Sequence, residues 1–236
     1  MTYNGLPLRH ELKYYIPHAD YLAMRSSLAA FMQQDAHMDD PGGYHVRSLY
    51  FDDPAFTSGF EKINGYMNRS KTRIRIYNKS LGLIRFEKKI KISGYIGKRI
   101  AAITRDELAA ILSGRTGALL ASESPLLHRY YADQKLRRLR PVVMVDYTRE
   151  AYCYKAGNVR VTFDHDLQAA YGRFDDSLSD EQLIRMNIYP PQMLAMEIKF
   201  DDFLPAPVKR LIRPYTARRS AISKYLLALN AIKSRV

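Results

Sequence analysis

Lys71–Tyr77 reads KTRIRIY, and a little further on Ile84–Ile92 reads IRFEKKIKI. In the first stretch Lys71, Arg73, Arg75 and Tyr77 alternate with Thr72, Ile74 and Ile76. In the second, Arg85, Glu87, Lys89 and Lys91 alternate with Ile84, Phe86, Ile90 and Ile92. A strand places successive side chains on opposite faces, so period two with β-branched residues identifies two strands. Ser80–Gly82 is short enough for a hairpin loop, which makes them antiparallel neighbours. Together they share a face that is almost wholly charged and mostly positive. Taken alone, such a hairpin fits an ordinary solvated sheet face equally well.

The same pattern recurs on both sides. Leu8–Ile16 puts Arg9, Glu11, Lys13 and Tyr15 on one face, and His45–Asp53 alternates Ser48, Tyr50 and Asp52 with Leu49 and Phe51. Lys98–Ile103 follows the turn marked by Gly94 and Gly97. Val142–Lys155 and Asn158–Tyr171 form a long hairpin around Gly157-Asn158, with Tyr147 and Arg149 on one arm and Arg160, Thr162 and Asp164 on the other. Met193–Asp201 aligns Glu197, Lys199 and Asp201. Between the strands, helices are expected at His18–Phe31, Pro54–Ile63, Pro205–Ile212 and Ser220–Ile232. Thr104 and Glu107 stand at capping-box spacing and open a helix to about Ser113. Ser124-Pro125 starts another that ends before Pro141. Gly172–Pro191 reads as a loop or insertion with a turn of helix at Ser179–Met186. No repeat or linker divides the chain, so residues 1–236 are expected to form one domain.

Leucine- and tyrosine-rich helices need an apolar surface, and the apolar strand face is the one offered. The charged face is then either open or turned inward. About eight antiparallel strands is a natural closure number, and closure removes exposed edges. The expected fold is therefore α+β: a closed antiparallel barrel with a charged lumen and helices packed outside. Such a lumen cannot be dry. Each unpaired ion taken from water costs several kcal/mol, so a stack of Arg9, Lys13, Arg73, Arg75, Lys89, Arg149, Arg160 and Lys199 would exceed a domain's stability of about 5–15 kcal/mol. Water, counter-ions or a polyanion must fill it, and guanidinium forks suit the oxygens of a polyphosphate.

Composition points the same way. The 236 residues carry a net charge of +13, which implies a polyanionic partner. The single cysteine, Cys153, excludes an internal disulfide and a cysteine-based zinc site and suits a reducing, cytoplasmic location. Neither a signal-peptide core nor an apolar run of membrane-spanning length is present. The six histidines show no metal-site spacing, and the 18 tyrosines keep base stacking open as an alternative. The minority acids Glu11, Glu87 and Glu197 have two readings. They pair across strands with lysines and arginines, or they hold a divalent cation that bridges carboxylate and phosphate. Asp52 and Asp164 read as structural. The mixture of signs favours nucleotide chemistry over a purely electrostatic sleeve, and no nucleic-acid partner is expected.

Arg9-x-Glu11-x-Lys13, SLYFD at Ser48–Asp52, Arg73-x-Arg75, Glu87-x-Lys89, YTREAY at Tyr147–Tyr152, RVTFD at Arg160–Asp164, Glu197-x-Lys199 and Ser223-Lys224-Tyr225 resemble, in order, the VTC domain. That is the polyphosphate polymerase branch of the triphosphate tunnel metalloenzymes. Arg9 stands where hydrolytic relatives carry the leading Glu of E-x-E-x-K, a change away from two-metal hydrolysis. The resemblance implies a polymerase that moves the γ-phosphoryl of ATP onto inorganic polyphosphate and releases ADP. Arg73, Arg75, Lys89, Arg149 and Lys199 would hold triphosphate and chain, with Lys13, Lys91, Lys98, Arg160, Arg9 and Ser223 adding to the lining. Glu197, helped by Glu87 and Glu11, would hold Mn²⁺ or Mg²⁺, and Lys224 would reach a tunnel mouth. A membrane-protein partner is also implied. A triphosphate hydrolase and a non-catalytic polyphosphate- or RNA-binding module are the alternatives.

Overall fold

The computed structural model describes residues 2–38, 42–189 and 192–234, with only the backbone at 216 and 217. Pro190 and Pro191, the end of the expected loop, lie outside the described residues. The strands are β1 (Thr2–Tyr3), β2 (Leu6–Pro7), β3 (His10–Pro17), β4 (Gln33–Gln34), β5 (Tyr44–Asp52) and β6 (Arg69–Tyr77). They continue with β7 (Ser80–Ile92), β8 (Tyr95–Ile103), β9 (Arg140–Tyr154), β10 (Val159–Gly172), β11 (Leu183–Asn187) and β12 (Met193–Phe200). The helices are α1 (His18–Ala29), α2 (Thr57–Ile63), α3 (Arg105–Leu112), α4 (Pro125–Arg137), α5 (Ala206–Ile212) and α6 (Lys224–Lys233). None of the described helices is long and apolar enough to cross a membrane.

One curled antiparallel sheet organises the chain, in the order β3-β12-β10-β9-β5-β6-β7-β8, with β11 added beside β10 and β4 beside β9. Its turns are made locally. The β6–β7 connection is the two-residue turn Asn78-Lys79, with φ +49° and +55°, and β7–β8 turns at Ser93-Gly94, with φ +48° and +90°. Two successive positive φ values match the twist of the flanking strands. Ser80–Gly82, expected as the loop, is therefore the start of β7, with Tyr77 paired to Ser80. The expected turn of helix at Ser179–Met186 is also corrected. Leu183–Asn187 extends the sheet against Gln168–Gly172. A buried ion network anchors it: Arg47 holds Asp146 at 2.7 Å and pairs with Asp180, and Arg185 bonds both acids.

The expectation of a closed barrel is corrected to an open, half-barrel sheet. Among the described residues no ladder joins its two ends, and Arg9 and Ile96 alone exchange two amide bonds of 2.9 Å across the seam. Beyond that bridge the edges splay, and side chains fill the gap: Lys89 Nζ reaches both oxygens of Glu11, at 3.0 and 2.7 Å. The β1–β2 hairpin covers the outside. Leu6 packs so closely on Gly97 that a Cβ there would lie 2.5 Å from its side chain.

The convex face carries the helices, as the apolar alternation requires. Ile74, Ile76, Ile84 and Phe86 pack under Leu108 and Ile111 of α3 and Leu127 and Tyr130 of α4. Val161, Phe163, Met196 and Ile198 pack under Met24 and Leu28 of α1 and Val208 of α5. The Thr104–Glu107 capping box is present, with Glu107 N donating to Thr104 Oγ1 at 3.1 Å. The concave face is not charged throughout. Val143, Val145, Tyr50 and Ala195 form an apolar patch on it, covered by Ile222, Tyr225 and Leu229 of the C-terminal segment. Seating α6 there removes hydrocarbon from water at about 25 cal/mol per Å². An uninterrupted wet passage is thus corrected to a charged cavity bounded on one side by α6.

Candidate functional site

The cavity, of about 460 Å³, lies on the concave side of β3, β6, β7, β9 and β12 under the start of α6. Strand register brings its charges together. Lys13 stands opposite Glu197, Glu11 opposite Lys199, and Lys71 opposite Lys89. The two acids of the floor share one ammonium: Lys13 Nζ lies 3.2 Å from Glu11 and 3.0 Å from Glu197. Lys199 bonds the other Glu197 oxygen at 2.5 Å. Burial and Glu197 push Glu11 upward, but Lys13, Lys89 and Lys199 outweigh them and hold its pKa down to about 2. Against the burial of Glu197, Lys13 and Lys199 hold its carboxyl well below the usual range.

A second ionic layer sits deeper. Glu87, with no exposed surface, bonds Arg73 at 2.7 Å and Lys98 at 2.6 Å. Arg149 makes a two-pronged pair with Asp164, at 2.6 and 2.8 Å, and Lys224 joins the same carboxylate at 2.5 Å. Lys224 gets there because residues 219–222 run beside β3 before the helix begins. Arg219 bridges Tyr14, and Ser220 N bonds the Lys13 carbonyl at 2.9 Å. The helix expected from Ser220 accordingly starts at Lys224. Ser223 caps it, accepting from Leu226 N, and also accepts from Lys71 Nζ at 2.8 Å. Tyr225 donates to Asp52 at 2.5 Å, and Asp52 in turn accepts from the Ser58 and Gly59 amides of α2. Asp52 thus bonds backbone amides and Asp164 an arginine, the kinds of partner read for them from the sequence.

Cations outnumber acids, and two of them stand out. Arg75 is 5 % exposed, yet its hydrogen bonds go to neutral groups: Ser48 Oγ at 3.1 Å and Tyr147 OH at 2.9 Å. Lys71 likewise meets neutral groups, the Ser223 hydroxyl at 2.8 Å and the Tyr225 ring face 4.9 Å away. Burial, then Lys13, Lys89, Lys62 and Arg69, pull its pKa down to about 7. Burial would raise the Tyr50 phenol, but Arg73, Arg75 and Lys224 hold it below its ordinary value. Arg75 feels the charge of Glu87 without touching it, and buried positive charge that no carboxylate contacts destabilises the empty protein and is relieved by an anion.

Of the residues expected from the sequence, Lys13, Arg73, Arg75, Lys89, Lys91, Arg149, Lys199, Ser223, Lys224, Glu11 and Glu197 line this cavity. Four do not. Arg9 lies outside the seam, paired with Asp201 at 2.7 Å. Arg160 is held by Asp35 at 2.8 Å and Tyr44 OH at 3.0 Å. Glu87 and Lys98 lie behind Arg73. Alternation gives a residue's face but not its depth or neighbours. Conversely, Lys62, Arg69 and Arg219 line it without having been singled out, and so does Lys71, which alternation placed on the charged face but not among the candidate site residues. The spacing of Lys71 and Arg69 before Arg73 carries that signal. Lys62 and Arg219 come from α2 and from the segment before α6, where no local pattern marks them.

The acids pair with cations, the first of the two sequence readings. Among the described residues no group of three His, Cys, Asp or Glu could hold a metal by itself. Glu11 and Glu197 nonetheless share Lys13 and face the cavity. Two carboxylates suit Mg²⁺ or Mn²⁺ carried in by phosphates, since such an ion keeps waters and takes one or two protein oxygens. Glu87, enclosed by Arg73 and Lys98, does not fit.

Known proteins bear on this arrangement. No curated protein is significantly similar to the chain. Among solved structures, a proposed adenylate cyclase (bh2851) from Bacillus halodurans is similar in fold, with TM-score 0.57 and 12% identity over 93% of this chain and 95% of that one. The PH1012 protein of Pyrococcus horikoshii OT3 has TM-score 0.51 and 13% identity over 93% of this chain and 98% of that one. At such identities they share the fold alone. The profile of the VTC domain matches residues 8–233. The curled sheet and the cation-lined cavity span that same stretch, and the chain belongs to the VTC domain family.

Proposed function

We propose that the cavity binds a nucleoside triphosphate and an inorganic polyphosphate chain, and that the protein transfers the γ-phosphoryl of ATP to the chain end. In that reaction a terminal phosphate oxygen of the chain forms a bond to the γ-phosphorus, the bond to the β–γ bridging oxygen breaks, and ADP leaves. The observation that carries the reading is the pair of cations without carboxylate partners, Arg75 and Lys71, beside Arg73. They carry charge that only hydroxyls meet by hydrogen bond among the described residues, and phosphate oxygens would meet it better.

Transfer of this kind asks for position and charge, because the loose transition state spreads charge over peripheral oxygens. Arg73 and Arg75 would meet one phosphate, Lys89 and Lys199 another, and Arg149 and Lys224 would secure the α6 side. Glu11 and Glu197 would hold Mg²⁺ or Mn²⁺, which would neutralise charge on the transferring group. The attacking phosphate is already ionised and needs no base. A water nucleophile would want one, and Glu11 and Glu197 are both held by lysines with depressed pKa values. This supports transfer over hydrolysis.

Incubation with ATP and Mn²⁺, followed by a gel stained for polyphosphate, tests the proposal. Long chains with stoichiometric ADP are expected. Free phosphate without chains would point to hydrolysis, and neither product to a binding module. The Arg73→Ala, Arg75→Ala double variant is expected to lose turnover while remaining folded.

A further inference from the structure

A second depression, of about 370 Å³, begins where the first one opens. The two share Arg69, Ser70 and Lys91. Arg69 and Lys91 are cross-strand partners at the rim formed by the start of β6 and the end of β7. Their parity on the strands is that of Lys71 and Lys89, which face the cavity. Ser70, Lys88, Ile90 and Ile92 have the opposite parity and face outward. The second depression is therefore the continuation of the first over the rim and onto the outer face of β7.

Its charge is also continuous. Beyond Arg69 and Lys91 come Lys88 and Arg137, against the single lining acid Glu61. Both outer cations are held from behind. Lys88 Nζ lies 2.8 Å from Asp133, and Arg137 donates one amino group to Asp53 at 2.8 Å. An ammonium has two further protons to offer, and a guanidinium retains its other donors. Between them Ser70 and Asn68 add neutral donors on an open floor.

We infer that this outer groove is a second polyanion-binding segment, which takes the length of polyphosphate that exceeds the cavity. The inference rests on the polyphosphate reading of the site. A chain growing in a cavity of about 460 Å³ must emerge, and α6 bounds the opposite side. Over the Arg69–Lys91 rim, each emerging phosphate exchanges one set of cations for the next.

Asn68→Glu tests this, because Asn68 is exposed, lines the groove and does not line the cavity. A second variant, Arg137→Gln, removes a cation and keeps a donor. Tripolyphosphate and long-chain polyphosphate are titrated into the wild type and both variants at several salt concentrations. The wild type is expected to bind the long chain more tightly and with a steeper salt slope. Each variant is expected to leave tripolyphosphate affinity unchanged, weaken the long chain about fivefold, and flatten its salt slope. Unchanged long-chain binding in both variants, with the wild type binding normally, overturns the groove alone. Equal loss for both ligands overturns it too, because the groove would then be no separate segment. A wild type that binds neither ligand removes the polyphosphate reading, and the inference falls with it.

Discussion

Replacing Arg75 by methionine separates a ligand-binding arginine from a structural one. The residue is 5 % exposed and donates to two hydroxyls, Ser48 Oγ at 3.1 Å and Tyr147 OH at 2.9 Å. Hydrogen bonds from a charged donor contribute about 1.5–3 kcal/mol each. Taking the guanidinium from water without a carboxylate costs several kcal/mol. The two terms nearly cancel in the empty protein. Methionine fills much of the volume, removes the desolvation cost, and leaves two hydroxyls short of a partner. The expected change in stability is within about 1 kcal/mol of zero, or about 2–4 °C in thermal midpoint for a chain of this size. Binding is a different matter. Losing one partner of a desolvated charge pair costs about 2–5 kcal/mol, roughly 30-fold to several-thousand-fold in Kd. Thermal unfolding and calorimetric titration of tripolyphosphate read the two quantities on the same sample. Arg75→Lys, which keeps the charge but not the fork, is expected to fall between. A variant that unfolds many degrees earlier yet binds tripolyphosphate as before would refute the reasoning and make Arg75 a brace.

Lys71 should register as proton uptake. Its pKa in the fold is about 7, below that of an unfolded lysine, so its strain is greatest at and below neutral pH and eases as pH rises. An arriving polyanion restores the proton. At pH 8 the calorimetric heat of tripolyphosphate binding is expected to vary with buffer ionisation enthalpy, and to vary less in Lys71→Met, where Lys89, which burial also pulls down to about 7, still takes up a proton. Identical heats across buffers in the wild type would contradict it. For acid stability the sign is opposite. Against their burial, Arg73 holds Glu87 and Arg149 holds Asp164 well below the carboxylate range. Their contribution is complete above about pH 4.5 and is lost as pH falls below it, so the thermal midpoint should drop steeply toward pH 3. Glu87→Gln should cost about 3–5 kcal/mol at neutral pH and show a flatter acid limb; an unchanged limb would place the effect elsewhere. Glu197→Gln should abolish the dependence of turnover on Mn²⁺ concentration while keeping part of triphosphate affinity. An unaltered metal titration would remove Glu197 from the metal's ligands.

Much of this was legible in the chain because strand alternation is local. Period two alone set Arg73, Arg75, Lys89, Arg149, Glu197 and Lys199 on charged faces, and the apolar partners of those residues required helices on the other side. Thr104 and Glu107 declared their capping box for the same reason, since both partners lie within one turn. Alternation cannot report which strands meet at the seam, how far the accumulated twist carries them, or what crosses the gap. The single Arg9–Ile96 bridge, the Lys89–Glu11 pair and the burial of Glu87 are decided between segments far apart in sequence. So is the apolar patch that seats α6, because Val143 and Val145 look like any alternating core residues until the sheet curls. Lys62 and Arg219 join the cavity by that curling, which is why only the tertiary structure could assign them.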